Sequence, residues 1–178
     1  EIHHNSFVSN VKDMEITMSD GKKIKTNYTI IATEPTNLVD GLKGQKVDWK
    51  SCQNLYFTSS SRVYEKAFIG LVSNEEWLIH NMFYTTSIRT RKKGKDELIS
   101  VTVVKDHGLI EKELIERVKN ELKKECKIEG ITFLKLYNIP KALPKLNNLQ
   151  YDITPSETKL KDGIFLAGDL LLNGSLNA

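Results

Sequence analysis

Lys161-Asp162-Gly163-Ile164-Phe165-Leu166-Ala167-Gly168-Asp169 is a short apolar strand that opens on an Asp-Gly turn and ends on a Gly-Asp pair. Small residues follow it in Leu170-Leu171-Leu172-Asn173-Gly174-Ser175-Leu176-Asn177-Ala178. In open α/β sheets ligands bind at strand ends, where glycine lets the backbone approach a phosphate or a sugar closely. An acid directly after that glycine can accept hydrogen bonds from sugar hydroxyls, and Ser175-Leu176-Asn177 can start a helix whose free amides polarise a ring carbonyl. Taken alone, the same residues also read as a strand, a turn and a helix cap.

The amino end supplies the other strands of such a sheet. Phe7-Val8-Ser9-Asn10-Val11 leads into Met14-Glu15-Ile16-Thr17-Met18, where apolar and polar residues alternate as in a half-buried strand. Ser19-Asp20-Gly21-Lys22 predicts a hairpin turn, and Lys23-Ile24-Lys25-Thr26 continues the alternation. Tyr28-Thr29-Ile30-Ile31-Ala32-Thr33 is a continuous β-branched run, which predicts a strand covered on both faces and closed by Glu34-Pro35.

Between these ends, residues 36–162 have their own pattern. Leu55-Tyr56-Phe57-Thr58, Ala67-Phe68-Ile69-Gly70-Leu71-Val72, Trp77-Leu78-Ile79-His80 and Ile99-Ser100-Val101-Thr102-Val103-Val104 predict an antiparallel or mixed sheet. One amphipathic helix is predicted from Leu109 to Cys126. Its apolar stripe is Ile110, Leu114, Val118 and Leu122, widened by Ile115 and Cys126, and Glu113, Arg117, Glu121 and Lys124 are expected to face solvent. Gly130 breaks the pattern before another strand, Ile131-Thr132-Phe133-Leu134-Lys135-Leu136.

Composition excludes several functions. The 178 residues hold 26 Lys and Arg against 23 Asp and Glu, a formal charge of +3 that is not a nucleic-acid profile. Arg89-Thr90-Arg91-Lys92-Lys93-Gly94-Lys95 is basic, yet acids follow and no aromatic ladder lies alongside, so it reads as a solvated loop. With 39% hydrophobic and 28% charged residues the chain belongs with soluble globular proteins that bury a core. No apolar stretch is long enough to cross a bilayer, and Glu1-Ile2-His3-His4-Asn5 lacks the regions of an export signal. Cys52 and Cys126 fit neither a disulfide framework nor a zinc site and read as reduced thiols of a cytoplasmic protein. His3 and His4 point to opposite faces of an extended strand, and neither His80 nor His107 has a partner at metal-ligand spacing, so no metal is expected. Thr58-Ser59-Ser60-Ser61 lacks the G-x-S-x-G elbow of a hydrolase. Without an initiator Met, and starting in strand-forming residues, the chain is expected to be a piece of a longer protein.

The order of these parts resembles the carboxyl-terminal half of the FAD-dependent amine oxidase and phytoene desaturase superfamily, to which protoporphyrinogen oxidase-like proteins belong. The resemblance covers nearly the whole chain. It rests on Phe7-Val8-Ser9-Asn10-Val11, the Asp20-Gly21 turn, Thr29-Ile30-Ile31-Ala32-Thr33, the return segment Ile139-Pro140-Lys141-Ala142-Leu143-Pro144, and above all Phe165-Leu166-Ala167-Gly168-Asp169 with Asn173-Gly174-Ser175-Leu176-Asn177-Ala178. It implies an α/β fold with an α+β insert. Residues 1–35 and 163–178 would be parts of an FAD-binding Rossmann-like domain, flanking a mixed or antiparallel-sheet substrate domain at 36–162 with one long amphipathic helix.

The resemblance further implies that Val8 lies against the adenine through its backbone and that Thr33 and Glu34 lie near the dinucleotide part of FAD. Gly168 and Asp169 would bind its ribityl or pyrophosphate region, and Ser175, Leu176 and Asn177 would sit by the pyrimidine edge of the flavin. The implied reaction is hydride transfer from an apolar or amine substrate to the flavin, which requires no side chain as acid or base. Tyr56, Phe57, Trp77 and Tyr84 could line a substrate cavity, although sheet core is the plainer reading. A departure from the family is that the chain has no G-x-G-x-x-G phosphate loop, and Gly41-Leu42-Lys43-Gly44 does not supply one. The 178 residues are therefore expected neither to hold FAD well nor to turn over substrate alone. The predicted helix and the loop 89–95 could meet a membrane surface peripherally if the substrate is lipid-soluble. The alternative is a non-catalytic binding module in which the Gly-Asp tail is only a turn.

Overall fold

In the computed structural model, the alternating segment at the amino end forms strands β1 (Val8–Lys12) and β2 (Glu15–Met18), which pair antiparallel and set Val11 opposite Ile16. The structure describes residues 1–42, 47–88, 94–145 and 154–168. They fall into two compact units, Glu1–Lys50 with Leu143–Ala178, and Ser51–Ala142.

In the first unit, β3 (Lys23–Lys25) folds back on β2 through the predicted turn. The Gly21 amide donates to Met18 O at 3.0 Å and Gly21 has φ 86°, a left-handed conformation that glycine adopts without steric cost. Lys22 N–H donates to Asp20 Oδ1 at 2.9 Å, so the aspartate holds its own turn.

Strand β4 (Thr29–Ile31) belongs to a separate three-stranded sheet with β10 (Lys159–Lys161) and β11 (Ile164–Leu166), in the order β10-β11-β4. The β11–β4 pairing is parallel, with Ile164 opposite Thr29, Phe165 opposite Ile30 and Leu166 opposite Ile31. Thr29 N–H to Gly163 O at 2.8 Å and Ala167 N–H to Ile31 O at 2.9 Å frame the ladder. Val11, Ile31, Val39 and Ile164 form the core of this unit.

The expectation that residues 28–33 are covered on both faces needs correction. Ile31 is buried, but Ile30 is 70% exposed and Tyr28 is exposed beside Phe165. Among the described residues the strand is three residues long and stands last in the order of its sheet.

The second unit is built on a five-stranded sheet in the order β6-β7-β8-β5-β9. Its strands are β5 (Trp49–Ser59), β6 (Gly70–Leu71), β7 (Ile79–Tyr84), β8 (Glu97–Val103) and β9 (Thr132–Pro144). Helix α1 (Glu111–Lys124) packs Leu114, Val118 and Leu122 against Leu55, Phe57, Ile79, Tyr84, Ile99, Val101 and Val103. Each such side chain removed from water contributes about 1.5–3 kcal/mol. Glu111 and Glu113 in the first turn and Lys123 and Lys124 in the last complement the helix dipole. The run at 67–72 yields a strand of only two residues, while the run at 77–80 extends as β7 to Tyr84.

Two helix positions differ from expectation. Ile110 caps the helix from outside and is 65% exposed. Glu121 does not face solvent: it is 6% exposed and accepts the backbone N–H groups of Leu78 at 3.0 Å and Ile79 at 3.1 Å, while Arg117 Nε donates to its Oε1 at 2.9 Å. The register of β7 on β8 shifts between Ile79 and Asn81, and the carboxylate holds the two amides at the start of that irregular strand. Periodicity cannot show this, because the partner amides lie more than forty residues away in sequence.

Glu121→Ala should therefore lower stability by about 3 kcal/mol, since two buried amides lose a charged acceptor. Glu121→Gln, which keeps a carbonyl acceptor, should cost less. Urea unfolding of the chain measures both, and a cost below about 1 kcal/mol for the alanine variant would contradict the clamp.

Candidate functional site

Because β4 and β11 run parallel, their carboxyl ends lie side by side, and the segments that follow them leave from the same end of the pair. This is the edge at which ligands bind in parallel sheets. Thr33 is exposed there, and Glu34 is half-buried. Thr36, itself buried, donates its hydroxyl to Glu34 Oε1 at 3.0 Å. Pro35 O accepts the amides of Leu38 and Val39, and Leu38 O accepts Val11 N–H at 2.8 Å, so the segment after β4 is tied to β1.

Gly168 follows β11 with φ 116°, and no described residue lies within 4 Å of where a Cβ would stand. Its conformation calls for glycine. The structure thus places Thr33, Glu34 and Gly168 beyond the ends of two paired strands. Val8 packs against the same core cluster as Leu166, but it lines a separate hollow of about 930 Å³ with Phe7, Ile16, Met18 and Lys23. Asp169, Ser175, Leu176 and Asn177 lie outside the described residues.

In the second unit the two faces of the sheet differ. One carries Leu55, Phe57, Ile99 and Val101 against α1. By strand alternation and register, the opposite face carries Asn54 and Tyr56 on β5, Ser100 and Thr102 on β8, and Asn81 and Phe83 on β7. All six are half-buried. Tyr137 on β9 meets Tyr56 edge-on with ring centroids 5.9 Å apart, Ser100 Oγ donates to Asn54 Oδ1 at 2.9 Å, and Asn54 Nδ2 donates to the Tyr56 hydroxyl at 3.3 Å. This face offers an aromatic row beside a row of amides and hydroxyls.

Of the four aromatics considered from sequence, Phe57 and Tyr84 are core and Trp77 is half-buried; Tyr56 belongs to the open face. Sequence reading missed Phe83 and Tyr137, although Phe83, one residue from the core residues Met82 and Tyr84, carries the signal of the opposite face in its odd spacing. Tyr137 is hidden because Phe133 and Leu136 both pack against the core, which breaks the simple alternation along β9.

Arg62 and Glu97 form an ion pair at the other end of β8, with the Thr86 hydroxyl donating to the same carboxylate and the guanidinium over the Tyr84 ring. It fastens the segment after β5 to the end of β7. Among the described residues no cluster of three or more metal-ligating side chains is present, and no helix is long and apolar enough to cross a membrane.

No family model matches the sequence, and no curated protein matches it. Solved structures do match. An oxidoreductase from Methanosarcina mazei superposes with a TM-score of 0.66 at 12% identity, over 95% of this chain and 44% of that one. A putative protoporphyrinogen oxidase from Exiguobacterium sp. 255-15 gives 0.57 at 13% identity, over 95% and 42%. A CLA-producing fatty acid isomerase from P. acnes gives 0.56 at 10% identity, over 97% and 44%. At these identities the likeness is one of fold alone, the mixed α/β fold that the sequence led one to expect. The chain spans roughly two fifths of the length of the solved proteins it matches.

Burial pushes the thiols of Cys52 and Cys126 above their ordinary pKa, and at Cys126 the charges of Glu121 and Glu125 push the same way. Both are neutral thiols at pH 8 and should alkylate with iodoacetamide more slowly than a small free thiol, with the rate rising on unfolding. Because the folded pKa is the raised one, the stability linked to these protons is complete below the ordinary thiol pKa and is lost as pH climbs above it. Fast alkylation of the folded chain at pH 8 would contradict this.

Proposed function

We propose that this chain is part of an FAD-dependent oxidoreductase of the amine oxidase and phytoene desaturase kind, acting on an apolar or amine substrate. In this reading residues 1–35 and 163–178 belong to the FAD-binding part and 36–162 to the part that receives substrate. The observation that carries it is the parallel β4–β11 pair, with Gly168 at its carboxyl end, in a fold shared with an oxidoreductase and a putative protoporphyrinogen oxidase.

The residues present suit the dinucleotide part of FAD. Gly168, without a side chain, allows a sugar or phosphate close to the backbone, and Glu34, oriented by Thr36, offers a carboxylate to a sugar hydroxyl. Thr33 adds an exposed hydroxyl at the same sheet end. Val8 is assigned to the adenine end, Asp169 to the ribityl or pyrophosphate region, and Ser175, Leu176 and Asn177 to the pyrimidine edge. The flavin, when bound, supplies the hydride acceptor.

The protein's task is then to hold the substrate dry and aligned, and the open sheet face supplies what that needs. Tyr56, Phe83 and Tyr137 give apolar contact, and Asn54 and Ser100 give fixed hydrogen-bonding groups. No side chain of the chain is assigned as acid or base.

The phosphate loop that normally holds the pyrophosphate is missing from these 178 residues, so the chain alone should stay colourless when incubated with FAD and then desalted. The product of the complete reading frame should be yellow, with visible flavin bands that bleach on adding an apolar or amine substrate. In that product Gly168→Val should reduce flavin occupancy, while Tyr56→Ala should leave occupancy unchanged and slow bleaching about tenfold, the loss of about 1.4 kcal/mol of positioning. A folded, colourless full-length protein that takes up no FAD would overturn the proposal.

A further inference from the structure

A second concave site lies in the second unit, away from the aromatic face, where the segment between β8 and α1 meets the start of β5 and the middle of β9. It is a cleft of about 440 Å³, within the usual range for small-molecule sites. Its walls include Cys52, Gln53, Val104, His107, Asn138 and Ile139.

Three of these side chains form a relay whose direction is fixed. The backbone N–H of Leu109 donates to His107 Nδ1 at 3.0 Å, and since an amide can only donate, Nδ1 carries a lone pair. The imidazole proton therefore sits on Nε2, which donates to Gln53 Oε1 at 2.7 Å. That sets the Gln53 carboxamide, whose Nε2 donates to Asn138 Oδ1 at 2.9 Å. Asn138 Oδ1 is thereby the acceptor of the relay, and its Nδ2 has no acceptor among the described residues. Four groups on three chain segments thus orient one amide donor at the cleft.

The surroundings decide the rest of the ligand. Val104 is 45% exposed and Ile139 is 37% exposed, so apolar wall is open to contact. Lys105 and Asp106 bring one charge of each sign, and the Lys105 ammonium is held by the carbonyl oxygens of Glu75 and Trp77. Burial keeps the Cys52 thiol protonated. The cleft carries no net charge and presents a donor.

We infer that this cleft binds a neutral carbonyl compound with an apolar tail, such as a ketone, ester or amide, through a hydrogen bond from Asn138 Nδ2 that the His107–Gln53 relay orients. The site is independent of the flavin reading and is tested on the 178-residue chain itself. Methyl butyl ketone is titrated into labelled protein, following the side-chain amide resonance of Asn138 and the backbone amides of Val104 and Leu109. A saturable shift at these groups is expected, with pentylamine, which has no carbonyl acceptor, failing to compete.

Asn138→Leu should weaken binding about tenfold, the value of one hydrogen bond. Gln53→Leu should weaken it as well, because Asn138 is then free to turn its carboxamide over. Lys123→Gln, exposed on α1 and outside the cleft, should leave it unchanged. Unaltered core resonances such as Val101 check that each variant is folded. No saturable shift at Asn138, or equal affinity in wild type and Asn138→Leu, would overturn the inference.

Discussion

The parallel pairing of β4 with β11 is the constraint on which the first unit depends. It joins residues 29–31 to residues 164–166, so the chain between them must leave and return with both strands pointing the same way. Closing so long a loop costs conformational entropy that three residue pairs of ladder cannot offset alone. The buried cluster of Val11, Ile31, Val39 and Ile164 supplies the remainder, drawing one residue from each of four separated segments. The same geometry puts two strand ends and their following segments together, which is what makes a ligand site there possible.

The second unit solves a different problem with one helix. Its sheet buries one face under α1 and leaves the other half-buried, lined with aromatic rings and hydrogen-bonded amides. A sheet with one packed and one solvated face ordinarily shows polar residues on the second. Here Tyr56, Phe83 and Tyr137 occupy it instead, and a surface of that kind is suited to a ligand more than to water. Glu121 fastens helix to sheet by taking over acceptor duty at the irregular start of β7, where the register shift leaves two amides to be satisfied.

Much of the fold was legible because it is local. The Asp20-Gly21 hairpin, the strand character of 55–58 and 99–104, and the α1 stripe at Leu114, Val118 and Leu122 follow from period and turn chemistry. What escaped is non-local. Glu121 looks like any outward glutamate until its partners at Leu78 and Ile79 are known, and Ile30 looks buried until the one-sided packing of β4 is known. The site at the sheet end was legible only through Gly168, whose positive φ is a local demand; the His107–Gln53–Asn138 relay spans three strands and segments and has no sequence signal at all.

The central claim is that residues 29–31 and 164–166 pair in parallel and bring the two ends of the chain into one sheet. Interstrand proton contacts in isotopically labelled protein test it directly. The account predicts the slanted parallel pattern, linking Ile30 with Phe165 and Ile31 with Leu166, with the Thr29 and Ala167 amides protected from exchange. An antiparallel pattern, or an absence of contacts between these segments in folded protein, would contradict it.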